Sequence, residues 1–112
     1  MIAITKDEEK QEVVVRLIEL MKKTDITNAE KESIYNIVIN MTSRTINQKI
    51  RFIMLYGLKP TEFKKYTLTE IAKLQKCSAS AIRFSTIAVR NTFWRVPDDE
   101  FEIIKAICEK YQ

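Results

Sequence analysis

Lys73, Lys76, Arg83 and Arg90 bring four cations into one short stretch of the chain, interleaved with Ser78, Ser80 and Phe84. Cations at this density suit phosphate, because each phosphate they neutralise releases a condensed counterion from the duplex. A hydroxyl such as that of Ser80 can hydrogen-bond a base edge, and a ring such as Phe84 can lie against a thymine methyl. Neither makes a bidentate contact, so both would discriminate weakly. The chemistry on offer is attraction to an anionic polymer with modest base reading.

Catalysis has little to work with. The chain holds one glycine and no histidine, so it can build neither a glycine-rich phosphate loop nor a histidine-dependent triad. Cys77 and Cys108 form no Cys-x-x-Cys pair, and a zinc site needs more ligands than they supply. They are expected to be buried reduced thiols, with a disulfide open to them if the last helix folds back. Asp98, Asp99 and Glu100 could hold a metal in principle, but at a helix start after Pro97 they offset the dipole. No metal, no cofactor and no enzymatic activity is expected.

The elements that must position the cationic stretch are two short helices. Thr67 with Glu70 forms a capping box, in which each side chain satisfies a backbone N–H that the helix start leaves free. Ser78 caps a second helix after the polar break at Lys76 and Cys77. Ile71, Ala72, Cys77 and Ile82 would form the seam, with Ala72 small enough for a close crossing. This is the outline of a helix-turn-helix. An ordinary helical hairpin is the competing reading of the stretch alone.

Helical periodicity runs through the rest of the chain. Val13, Val14, Leu17, Ile18 and Met21 predict a first helix over residues 7–23, acidic in its first turn and basic in its last. Thr27 and Glu30 box a second helix with Ile34, Ile37, Val38 and Met41 on one face. Thr45 and Gln48 box a third, with Ile46, Ile50, Ile53 and Met54 inward and Gly57 as its left-handed cap. The fourth runs over 68–75. The fifth runs from Ala79 to Trp94, with Ile82, Thr86, Val89 and Phe93 inward. A sixth, over 98–111, carries Phe101, Ile104, Ile107, Cys108 and Tyr111 as its apolar residues. Trp94 reads as a core plug rather than a base-stacking residue.

The expectation is an all-α, small helical bundle of five to six helices in one compact domain. It divides into an N-terminal helical pair over 1–44, the hairpin region over 45–96 and an acidic C-terminal helix over 97–112. The N-terminal pair would cover the core or present a surface to a partner. The net charge of +4 is unevenly spread. Residues 57–96 carry eight Lys or Arg against Glu62 and Glu70, a net of +6, whereas 97–112 carry a net of −3. The start turns charged within six residues, unlike a secretion signal, and the longest apolar run, 52–56, is too short for a membrane span. A soluble, cytoplasmic protein is expected.

A helix ending in Tyr56-Gly57-Leu58, a polar loop, Tyr66-Thr67-Leu68 with Glu70-Ile71, and then Ser78 with Ile82-Arg83 resembles region 4 of the sigma-70 family of RNA polymerase sigma factors. The resemblance covers roughly residues 45–95. It implies that the fifth helix enters the major groove of a promoter −35 element and that the domain packs on RNA polymerase core or a sigma-like partner. It implies a second anchoring surface too, assigned to Phe52, Leu55 and Leu58, since Phe52 and Leu55 fall off the face defined by Ile46, Ile50 and Ile53. The family's base-facing Arg, Glu and Gln are replaced by Ala79, Ser80 and Phe84, and only Arg83 is kept. Gln75 also stands where an apolar residue would close the hairpin, with Leu74 one place early. The resemblance implies a divergent, stand-alone region 4-like transcription protein. The alternative is a protein-interaction module, such as an anti-sigma or polymerase-binding regulator with little DNA contact. Loss of the base-facing trio favours the alternative; the basic hairpin segment favours the first.

Overall fold

A computed structural model describes residues 6–112. The described residues are all-helical: α1 (Lys6–Lys23), α2 (Asn28–Ile39), α3 (Ile46–Tyr56), α4 (Leu68–Gln75), α5 (Ala79–Arg90), a single 3-10 turn (Phe93–Arg95) and α6 (Asp98–Lys110). None of these helices is long and apolar enough to cross a membrane. The reading of the chain's start as free of a secretion signal rests partly on residues 1–5, which lie outside the described residues.

The helix starts are local chemistry. Thr27, Thr45 and Thr67 each accept from the N3 backbone N–H, while Glu30, Gln48 and Glu70 each accept from the threonine N–H. Two of the donors that a helix start orphans are satisfied at each box. Gly57 ends α3 at φ 66°, and a Cβ there would lie 2.8 Å from Lys65 Cγ. Glycine takes that conformation without strain and leaves that space clear.

The fifth helix is shorter than its periodicity predicts. It stops at Arg90: the Thr92 N–H turns to the Val89 carbonyl (3.0 Å), and Thr92 Oγ1 donates to the Ala88 carbonyl (3.0 Å) while accepting from Arg44 Nε (2.7 Å). A β-branched hydroxyl competing for the i−4 carbonyl weakens helix continuation, and Phe93–Arg95 then turn as 3-10. This places Phe93 fully in the core and packs Trp94, half-buried, against it.

The main core joins α1, α2, α3, the end of α5 and α6. A smaller one inside the α4–α5 pair holds Ile71, Ala72 and Ile82, with Cys77, Met54 and Leu55 packed against it. α3 packs most extensively on α5, and α6 closes on α1 and α2. Cys77 and Cys108 are both free, in separate cores.

The rotation of α3 differs from expectation. Phe52 and Leu58 are 0% exposed, Leu55 is half-buried, and Ile46 and Ile50 are 60% and 36% exposed. Phe52 and Leu58 are therefore core, not an exposed anchoring surface, and Leu55 packs against both cores. The reason is area. The Phe52 ring lies 4.7 Å from Tyr56 and 5.5 Å from Phe93 between centroids, and an aromatic side chain buries roughly 150–250 Å². Turning Phe52 and Tyr56 inward outweighs leaving Ile46 and Ile50 near solvent.

α6 is pinned at its end. Tyr111 Oη donates to Glu30 Oε1 (2.6 Å) and Lys110 Nζ to Glu30 Oε2 (3.2 Å). Partial burial acts to raise the Glu30 carboxyl, but hydrogen bonds from Tyr111, Thr27 and Lys110 outweigh it and hold the pKa at about 2, against an ordinary 4.5. A group depressed on folding stabilises the fold above its unfolded pKa and loses that contribution as pH falls through the folded one. Acid titration followed by circular dichroism should thus show stability falling between pH 4.5 and about 2, and Glu30→Gln should flatten that fall. In denaturant unfolding, Phe52→Ala should cost about 3–5 kcal/mol; a loss under about 1 kcal/mol would contradict the packing of α3.

Candidate functional site

The cationic stretch lies on the α4–α5 hairpin, joined by Lys76, Cys77 and Ser78. Lys76 caps α4 in the left-handed region at φ 53°, its N–H donating to the Ala72 carbonyl. The Cys77 N–H reaches the same carbonyl at 3.0 Å. Ser78 then starts α5, its Oγ accepting from the Ala81 N–H at 3.1 Å. The turn is thus closed by backbone groups, and Ser78 is occupied as a cap while its residue stays exposed.

The hairpin is clamped to α3 by a residue that periodicity did not single out. Arg51 Nε donates to Gln75 Oε1 (2.5 Å), and Arg51 Nη1 donates to Ser85 Oγ (2.8 Å). One half-buried guanidinium so ties α3 to both hairpin helices. Gln75 does close the hairpin, with a charge-assisted hydrogen bond instead of an apolar contact. The available signal was an arginine opening the apolar run 51–56 and a glutamine in an apolar slot.

With the inner faces engaged, the outer side of α5 is free. Ser80, Arg83, Phe84 and Ile87 are exposed there, Phe84 at 75%. Lys73, Leu74 and Lys76 are exposed on α4, and Arg90 is half-buried at the end of α5. The exposed set on the α4–α5 hairpin therefore includes Lys73, Lys76, Ser80, Arg83 and Phe84, with Arg90 half-buried at the end of α5. Phe52, Leu55 and Leu58 have no share in it. Leu74, at 63% exposed, is an apolar member that sequence patterning noted only as out of place.

Among the described residues, Lys73, Lys76, Arg83 and Arg90 have no carboxylate partner. Of the two acids in the basic segment, Glu62 pairs with Lys59 at 3.6 Å. Glu70 serves the cap, and the hydrogen bond from the Thr67 N–H holds its carboxyl below the usual range. The cations consequently keep their full attraction for an external anion. No group of His, Cys, Asp and Glu among the described residues could hold a metal ion.

No protein-family model matches the chain, and neither does any curated protein or solved structure.

Lys76 gives the surface a separate test. A side chain in the left-handed region costs about 1–2 kcal/mol that glycine avoids. Lys76→Gly should therefore raise unfolding stability by about 1 kcal/mol, whereas Lys76→Ala should not. A destabilised Lys76→Gly protein would contradict this turn geometry.

Proposed function

We propose that the chain is a divergent, stand-alone sigma region 4-like transcription protein whose α4–α5 hairpin acts as a helix-turn-helix on duplex DNA. The reading is carried by one observation: the exposed hairpin surface holds Lys73, Lys76 and Arg83 without a carboxylate partner. α5 would lie toward the major groove, with Lys73, Lys76, Arg83 and Arg90 on phosphates. Ser80 would meet a base edge and Phe84 a thymine methyl. Each good bidentate base contact contributes about 1–3 kcal/mol of discrimination, and Ala79, Ser80 and Phe84 supply none. Useful selectivity then requires a second anchor, which the family resemblance makes RNA polymerase core or a sigma-like partner.

A second reading, a protein-interaction module with little DNA contact, is favoured by Phe84 and Leu74. Rings and aliphatic chains this exposed are characteristic of protein contacts when they cluster. With Phe52 and Leu58 buried, Phe84 and Leu74 are the residues through which such a partner would dock.

The two readings separate in one pair of measurements. Electrophoretic mobility shifts with a nonspecific duplex at two salt concentrations should show salt-dependent binding. Lys76→Ala with Arg83→Ala should weaken it and flatten the dependence by about 0.9 in log–log slope per lost phosphate contact. A double variant that binds as the parent does would remove the DNA assignment from this face. A parent protein that does not shift duplex at either salt concentration, yet co-purifies with polymerase in a way that Phe84→Glu or Leu74→Glu abolishes, would establish the interaction module.

A further inference from the structure

A furrow runs between α1 and α5, beside the hairpin surface and outside the family-like region on its α1 side. Two clefts of about 540 Å³ each make it up, and Arg90 lines both. Met21 and Lys22 of α1 face Arg83 and Ile87 of α5 in the first; Gln11 and Val15 face Arg90 and Asn91 in the second. The two helices therefore run in opposite directions along the pair of clefts, with Arg90 between them.

Its lining is all of one sign. Lys22, Lys65 and Arg83 line the first cleft, Arg44 and Arg95 the second, and no Asp or Glu lines either. Two of these cations are fixed in place: Lys65 Nζ donates to the Met21 carbonyl (2.9 Å) and Arg44 Nε to Thr92 Oγ1 (2.7 Å). Lys22, Arg83, Arg90 and Arg95 have no ion pair among the described residues. The acids Glu8 and Glu12 line an adjoining hollow that shares Gln11 and Val15 with the second cleft. Lys22, Arg83, Arg90 and Arg95 are not neutralised by an ion pair among the described residues, so the furrow keeps an excess of positive charge that attracts an anion.

The form of the furrow selects the kind of anion. Arg83 and Arg90 are seven residues apart on α5, about 10 Å at 1.5 Å per residue. The line of cations continues beyond Arg90 to Arg95 and Arg44, a length that suits an extended polyanion such as a nucleic-acid strand better than a single phosphate. A compact ligand would occupy one cleft and leave the other cations unmet.

We propose that this furrow is a phosphate track, holding one strand of nucleic acid between α1 and α5 and giving the N-terminal helix a binding role. The proposal deepens the DNA reading above, since Arg83 belongs to both surfaces, and it adds Lys22, Lys65, Arg44 and Arg95 to the contact.

The test compares two sets of variants of the full chain on the same duplex and on its single strand, across a salt series. Lys22→Ala, Lys65→Ala and Arg95→Ala combined, all outside the hairpin contact set, should weaken binding and reduce the log–log salt slope by about 2–3, at about 0.9 per phosphate. The exposed Lys22→Glu alone should weaken binding further than Lys22→Ala, with helical content and unfolding midpoint held as controls on folding. Unchanged affinity and slope in the triple variant would overturn the track. If only Lys76, Ser80 and Phe84 variants alter binding, the hairpin reading stands and the track falls. If only the furrow variants do, the track stands and the hairpin assignment falls. A parent protein that binds neither duplex nor single strand overturns both.

Discussion

The half-buried guanidinium of Arg51 sets the terms for the rest of the molecule. A cation leaves water only if its donors find partners, and Arg51 finds them at once on α4, through Gln75, and on α5, through Ser85. The neighbouring residue, Phe52, is fully buried against Tyr56 and Phe93. One polar and one apolar attachment, adjacent in sequence, therefore hold α3 to the hairpin and to the main core. Neither alone would fix the hairpin's rotation, since apolar packing tolerates sliding and a hydrogen bond without packing tolerates swinging.

Fixing that rotation has a consequence for the surface. Ser85, Thr86, Val89 and Ile82 are turned inward, which leaves Ser80, Arg83, Phe84 and Ile87 with no part in the core. The small core of Ile71, Ala72 and Ile82 is too slight to hold the α4–α5 pair alone, so its stability comes from α3 through Met54 and Leu55. An exposed Leu74 and Phe84 are then not needed for folding. Their exposure is a cost in water that stability does not explain, and cations placed around them suit a surface that meets something else.

The helix starts were the most legible part of the chain. A threonine followed three residues later by Glu or Gln is a local device that satisfies the same orphan donors in any context, and all three boxes form. Gly57 was equally legible, since a left-handed cap favours glycine. The cationic hairpin residues were found by type alone, because Lys and Arg beside a polar break have little reason to be buried. The inward face of α3 was not legible. Ile46, Ile50, Ile53 and Phe52 are all apolar, so periodicity allowed two rotations about 100° apart, and summed hydrophobicity did not distinguish them. Thr92 ended α5 early for a similar reason: its hydroxyl competes for a helical carbonyl only where Arg44, remote in sequence, is also present to donate to it.

By itself, then, the sequence determined where the capped helices begin, that they are helices, and which segment carries unbalanced positive charge. These follow from interactions between residues a few positions apart. Tertiary structure alone decided which side of α3 is buried, that Gln75 closes the hairpin through Arg51, and that α1 and α5 enclose a furrow in which Lys22, Arg83 and Arg90 line one depression. Lys22 and Arg83 are distant in the chain, and charge carries no periodic signal that pairs one helix with another. Their meeting depends on how much area each rotation buries, a quantity that exists only once the helices are packed.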